Sequence, residues 1–203
     1  MDMAIEDLRE LDRAAVLATV KTAELVTPDL LDRPTPCTAW TAGELLAHMA
    51  AQHRGFAAAA RGDGADLALW HPRPPGPHTS EEYAESADAV LAAFAPDDVP
   101  QRLFAMPEFG AGVTVPGHQA IGFHLVDYVV HGWDLARAVG QDYELDPACA
   151  EPVLRIVGRI PDGPERDSPE SPFAHALPDS GTGSALDRIL RMLGRSPNWP
   201  EQH

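Results

Sequence analysis

The chain has 203 residues, 44% of them hydrophobic, and a formal net charge of −16. That length predicts one folded unit over residues 1–203 with a sizeable core. So acidic a surface argues against nucleic acid and anionic membranes as partners, because neither attracts it. No run of about 18 apolar residues is present to cross a bilayer. The acidic start MDMAIEDLRE lacks the basic and apolar regions of a secretory signal. Cys37 and Cys149 are far apart and form no C-x-x-C, so a cytoplasmic protein with reduced thiols is expected.

In chain order, residues 4–26 have apolar and small side chains in steps of three and four, among them Ile5, Leu8, Leu11 or Asp12, Ala15, Ala18 or Thr19, and Thr22. That periodicity predicts a first helix, broken at Pro28. A second helix is expected from Thr41, where Thr41 and Glu44 have capping-box spacing, to Gly62 or Gly64. Residues 61–79 contain HPRPPGPH and cannot be helical. A third helix should begin at Thr79 or Ser80, with Thr79 and Glu82 again spaced as a capping box, and end at Pro96. The stretch MPEFGAGVTVPG reads as a loop with a short extended piece. A fourth helix is expected from Pro116 to Gly140, a good residue to follow a helix end. Asp146 and Pro147 suit the start of a fifth helix running through EPVLRIVGRI. Residues 161–183 read as a surface segment, and a last helix should run from Ser184 to Gly194. The sum predicts an all-α protein, a four-helix bundle with extra C-terminal helices and long loops.

The fourth helix carries HLVDYVVHGWD, residues 124–134. At 100° per residue, His124, Asp127, His131 and Asp134 fall within an arc of about 80°. They form a polar stripe on a helix otherwise suited to burial. Asp127 and His131 are neighbours one turn apart. Such a pair can be a hydrogen-bonded ion pair, or it can ligate zinc, nickel or iron with a third donor from another helix. His48 in GELLAHMA, within a core-like run, is the candidate third donor, while His53 five residues later should point elsewhere. His124 reads as a fourth ligand, proton shuttle or pocket base, or as a partly exposed helix histidine. Asp134 can orient a ligand from behind or pair with Arg137. Cys37 reads as structural, Trp40 and Trp133 as core or pocket wall, and His71 and His78 as solvated.

DRPTPCTAWTAGELLAHM resembles the opening of the mycothiol-dependent maleylpyruvate isomerase N-terminal domain family, a branch of the DinB-like metal-binding bundles. VDYVVHGWDLARAVG resembles that family's second signature, and SALDRILRMLGRSPNW is similar to the tail of its short actinobacterial members. The resemblance implies a divalent metal on His48, Asp127 and His131. The family's carboxylate is usually glutamate, and here it is aspartate. Those isomerases also carry a further C-terminal domain, whereas the stretch after Gly140 is short and loop-rich. What is implied is therefore a metal enzyme with a low-molecular-weight thiol, mycothiol, as cosubstrate. It would transfer that thiol to a small electrophile or isomerise one. A non-catalytic metal or small-molecule binding module, a water-activating hydrolase, and iron-oxygenase chemistry on the same donor types remain alternatives. Bundles of this family often pair, so a homodimer is expected.

Overall fold

The computed structural model describes residues 7–168, 171–179 and 181–200. Its first helix, α1, spans Arg9–Ala23, with Glu10 and Asp12 in the first turn and Lys21 in the last, which suits the helix dipole. The expected start at residue 4 lies outside the described residues. α2 spans Ala42–Arg61 and opens on the expected capping box: Glu44 N–H donates to the Thr41 hydroxyl and Thr41 N–H to the Glu44 carboxylate. It stops at Gly62, whose φ of +96° suits a residue without a side chain.

α3 spans Thr79–Phe94, but its expected capping box is not made. Thr79 is the first helical residue, and its hydroxyl is engaged by the proline-rich loop, donating to Gly76 O at 2.8 Å and accepting from Gly76 N at 2.7 Å. His78 takes the cap position instead. Two short strands follow, β1 (Leu103–Ala105) and β2 (Thr114–Pro116), paired antiparallel with Phe104 opposite Val115. α4 spans Gly117–Ala138 and is followed by Gly140 with φ +75°. α5, Pro147–Val157, starts as expected with the Asp146 carboxylate accepting from Ala148 N–H, and ends three residues before Ile160. α6, Ala185–Met192, opens on a capping box between Ser184 and Asp187.

α1 to α4 form a four-helix bundle in which α1 and α2 each pack against both α3 and α4. His48 meets His131 and His53 meets His124, so the order of contacts makes α2 and α4 antiparallel. Gly132 lets α1 and α4 approach, since a Cβ there would lie 2.6 Å from Thr19 Cγ2. The core holds Leu45, Leu46, Met49, Val90, Leu125 and Val129 at no more than 1% exposure. Burial of each large apolar side chain stabilises by roughly 1.5–3 kcal/mol. α5 packs on α4 and on α6, outside the bundle. Among the described residues the fold is therefore helical but for one hairpin, and no helix there is long and apolar enough to cross a membrane.

Candidate metal centre

The antiparallel pairing of α2 and α4 brings three of the expected residues together. His48, Asp127 and His131 each offer a donor atom, and these atoms lie within 4.8 Å of one another. His131 Nε2 is 3.4 Å from Asp127 Oδ1. That is long for an N–H···O hydrogen bond. It matches the edge, about 3.4 Å, of a tetrahedron of nitrogen and oxygen donors around zinc. The rings of His48 and His131 stand nearly perpendicular, with centroids 5.5 Å apart. Asp127 Oδ2 is buried with no hydrogen-bond partner among the described residues. A buried carboxylate oxygen left unpaired is costly, and a cation would satisfy it. The donor set therefore fits a divalent ion.

The side chains behind these donors hold them ready. His131 Nδ1 lies 2.9 Å from Asp134 Oδ2, so Nδ1–H donates and the Nε2 lone pair faces Asp127 and His48. Arg195 grips both Asp134 oxygens at 3.0–3.1 Å. Burial alone would raise the Asp134 carboxyl, but Arg195 and His131 outweigh it and hold its pKa below the ordinary value. The expected partner of Asp134, Arg137, instead donates to Trp199 O. Burial pushes His48 down to about 4 against the pull of Asp127, leaving its imidazole neutral and able to ligate. Trp40 stacks on His48 at 4.2 Å, forming the pocket wall expected of it. Cys37 stands on the far side of His131, near Asp134, and burial raises its thiol pKa.

On the open side lie residues that periodicity did not single out. Gln52, one turn beyond His48, donates to both Glu108 oxygens at 3.1 Å. Burial of its carboxyl raises the Glu108 pKa; Gln52 opposes this and the Asp127 charge adds to it. The next residue, Phe109, is 57% exposed and meets Phe123, one turn before Asp127, edge to face at 5.8 Å. Glu108 and Phe109 sit between β1 and β2, in a stretch without a repeat to read, so only the tertiary fold reveals them.

His124 is placed apart from the three donors. It is fully buried, with Nδ1 2.6 Å from Asp12 Oδ1 and Nε2 3.2 Å from His53 Nδ1. Tyr128 stacks on His53, and the rings of Phe56 and Phe94 meet His124 edge-on. The expected partly exposed histidine is thus a core residue, because α1 covers its side of α4 and supplies Asp12 as partner. His53 does point away from His48, into this second cluster. Asp12 on the buried face of α1 was the signal in the sequence that could have announced it.

The family model described as the mycothiol maleylpyruvate isomerase N-terminal domain matches residues 9–136. Two uncharacterized proteins of Mycobacterium tuberculosis, MT0763 of strain CDC 1551 / Oshkosh and Rv0738 of strain H37Rv, are each 31% identical over 190 residues, 90% of this chain and 91% of theirs. Among solved structures, a mutant of mycothiol-dependent maleylpyruvate isomerase superposes with a TM-score of 0.56 at 16% identity, covering 77% of this chain and 68% of that one. A DinB-like protein from Bacillus subtilis gives 0.53 at 14% identity, covering 70% of this chain and 96% of its own. At these identities the two structures speak for the fold.

Proposed function

Because this chain belongs to the mycothiol maleylpyruvate isomerase N-terminal domain family, we propose that it holds one divalent cation on His48, Asp127 and His131 and works on a low-molecular-weight thiol, mycothiol, and a small electrophile. Zinc suits the mixed nitrogen and oxygen donors best, with nickel or iron as alternatives. The reaction would be thiol transfer to the electrophile or its isomerisation. The observation that carries this is the buried, unpaired Oδ2 of Asp127 beside the two imidazoles.

A divalent ion at such a site supplies the Lewis acidity that makes a thiol reactive as thiolate near neutral pH. The chain's own residues do the rest. Three protein donors leave a coordination position open, the arrangement of catalytic rather than structural sites. Asp134 fixes the His131 ring from behind. Trp40 covers the His48 face and keeps water from it. Glu108, held by Gln52 and partly open to solvent, can take up and return a proton. Phe109 and Phe123 offer apolar surface to the electrophile. His124 has no part in this chemistry, since both its ring nitrogens are engaged inside the core. The aspartate in place of the family's usual glutamate is one methylene shorter and draws the donor toward α4.

Cobalt substitution tests the proposal. A sulfur-to-cobalt charge-transfer band should appear when mycothiol is added and be absent with its S-methyl derivative. The titration is repeated in Cys37→Ser, so that an internal thiol cannot mimic the band. Bound cobalt with no band in either protein removes the thiol chemistry and leaves a water-activating hydrolase or a binding module.

A further inference from the structure

His131 belongs to two overlapping donor sets. One is His48, Asp127 and His131; the other is Cys37, His131 and Asp134, whose donor atoms also lie within 4.8 Å of one another. A thiol, an imidazole and a carboxylate would suit a soft cation at least as well as the first set. Both sets cannot be used at once, because the ring presents one lone pair when its other nitrogen carries a proton.

Arg195 stands at the junction. It lies outside the stretch matched by the family model, just beyond α6, and is 6% exposed. Its Nε donates to both Asp134 oxygens and its Nη2 to Oδ2, while Nη1 donates to Leu193 O. We propose that Arg195 is a positioning residue that selects between the two sets: by tying up both oxygens of Asp134 it withholds that carboxylate from any cation and anchors it as the acceptor of His131 Nδ1–H, so that Nε2 is left for the side of His48 and Asp127. This rests on the assignment of those three residues as the metal donors. Without Arg195, Asp134 would be a buried carboxylate lacking its cationic partner, a costly state. Recruiting a cation with Cys37 and His131 relieves it: the Cys37 S–H bond breaks, its proton passes to buffer, and a sulfur–metal bond forms.

The first test needs no metal. Nitrogen NMR of the metal-free protein should show His131 protonated at Nδ1 in the wild type, where Asp134 accepts from it. A wild-type ring protonated at Nε2 overturns the proposal. The second uses cobalt alone. Wild type and Arg195→Lys should bind it with no sulfur charge-transfer band, Arg195→Met should gain the band, and the double variant Arg195→Met/Cys37→Ser should lose it. A band in the wild type, or none in folded Arg195→Met, also overturns it.

If Arg195→Met does not fold, Asp134→Asn serves in its place. Arg195 would hold the amide oxygen and turn the NH₂ toward His131, forcing the other tautomer and weakening cobalt binding about 10–100-fold. An unchanged tautomer there counts against the proposal. Wild-type protein that takes up no cobalt would instead remove the donor assignment, and a sulfur band gained or not gained by Arg195→Met would still decide the role of Arg195.

Discussion

Two polar clusters lie one to two turns apart along α2 and α4, built from the same residue types. His48, Asp127 and His131 form one; His53, His124 and Asp12 form the other. The difference lies in whether the atoms that face one another are already bonded. In the core cluster they are: His124 donates to Asp12, so its Nε2 accepts and His53 Nδ1–H donates to it, while Asp12 Oδ2 and His53 Nε2 are buried without a partner among the described residues. Tyr83, Tyr128, Phe56 and Phe94 close around them. In the other cluster the supporting hydrogen bond comes from behind, through Asp134, and the donors are left facing one another. Identical chemistry can thus be structural or available for ligation, according to which side of the ring is already engaged.

The largest effect that tests this contrast is loss of a donor. His131→Ala should retain no stoichiometric metal by elemental analysis, while His124→Ala retains one ion per chain. Equal metal in wild type and His131→Ala would break the contrast, and so would metal lost from His124→Ala.

Stability should answer in the opposite sense. His124→Ala leaves the Asp12 carboxylate buried without its donor, at about 3–5 kcal/mol. For a chain of this size that lowers the melting temperature by roughly 6–20 °C. A melt within a degree or two of wild type would show that the core cluster is not held together as described.

A smaller effect concerns pH. Burial depresses His48 to about 4 and His53 well below its ordinary value. As pH falls from about 6.5 toward 4, the unfolded chain takes up protons that these folded-state imidazoles refuse, so the metal-free protein loses stability over that window. His48→Gln should remove about one proton of this uptake and flatten the decline, as read from denaturation midpoints in chelator at several pH values. An unchanged slope in that variant would show that His48 is not held neutral by burial.

The smallest change expected is that of Asp127→Glu, which restores the family's usual carboxylate. It should keep one ion per chain and alter affinity in chelator competition by no more than about tenfold. A loss as complete as that of His131→Ala would mean the pocket is fitted to the shorter side chain.

Much of the bundle was legible because its signals are local. The Thr41–Glu44 box, Asp146 before Pro147, Ser184 and Gly140 each act within one turn of chain, and all appear where their spacing predicts. Thr79 shows the limit: the same spacing failed because a loop of comparable reach competed for its hydroxyl. The stripe on α4 was equally legible, since a 100° step places His124, Asp127, His131 and Asp134 on one face whatever surrounds it.

What the sequence by itself determined, then, was the helices, their polar faces and the pairing of Asp127 with His131 one turn apart. Only the tertiary structure decided which neighbour each polar group meets. α1 carried Asp12 onto His124 and enclosed it, the tail beyond α6 carried Arg195 onto Asp134, and the loop after β1 carried Glu108 onto Gln52. These contacts join residues 112, 61 and 56 positions apart. Hydrogen bonds and ion pairs act over a few ångströms of space, and no periodicity along the chain encodes which distant residue will fill that space.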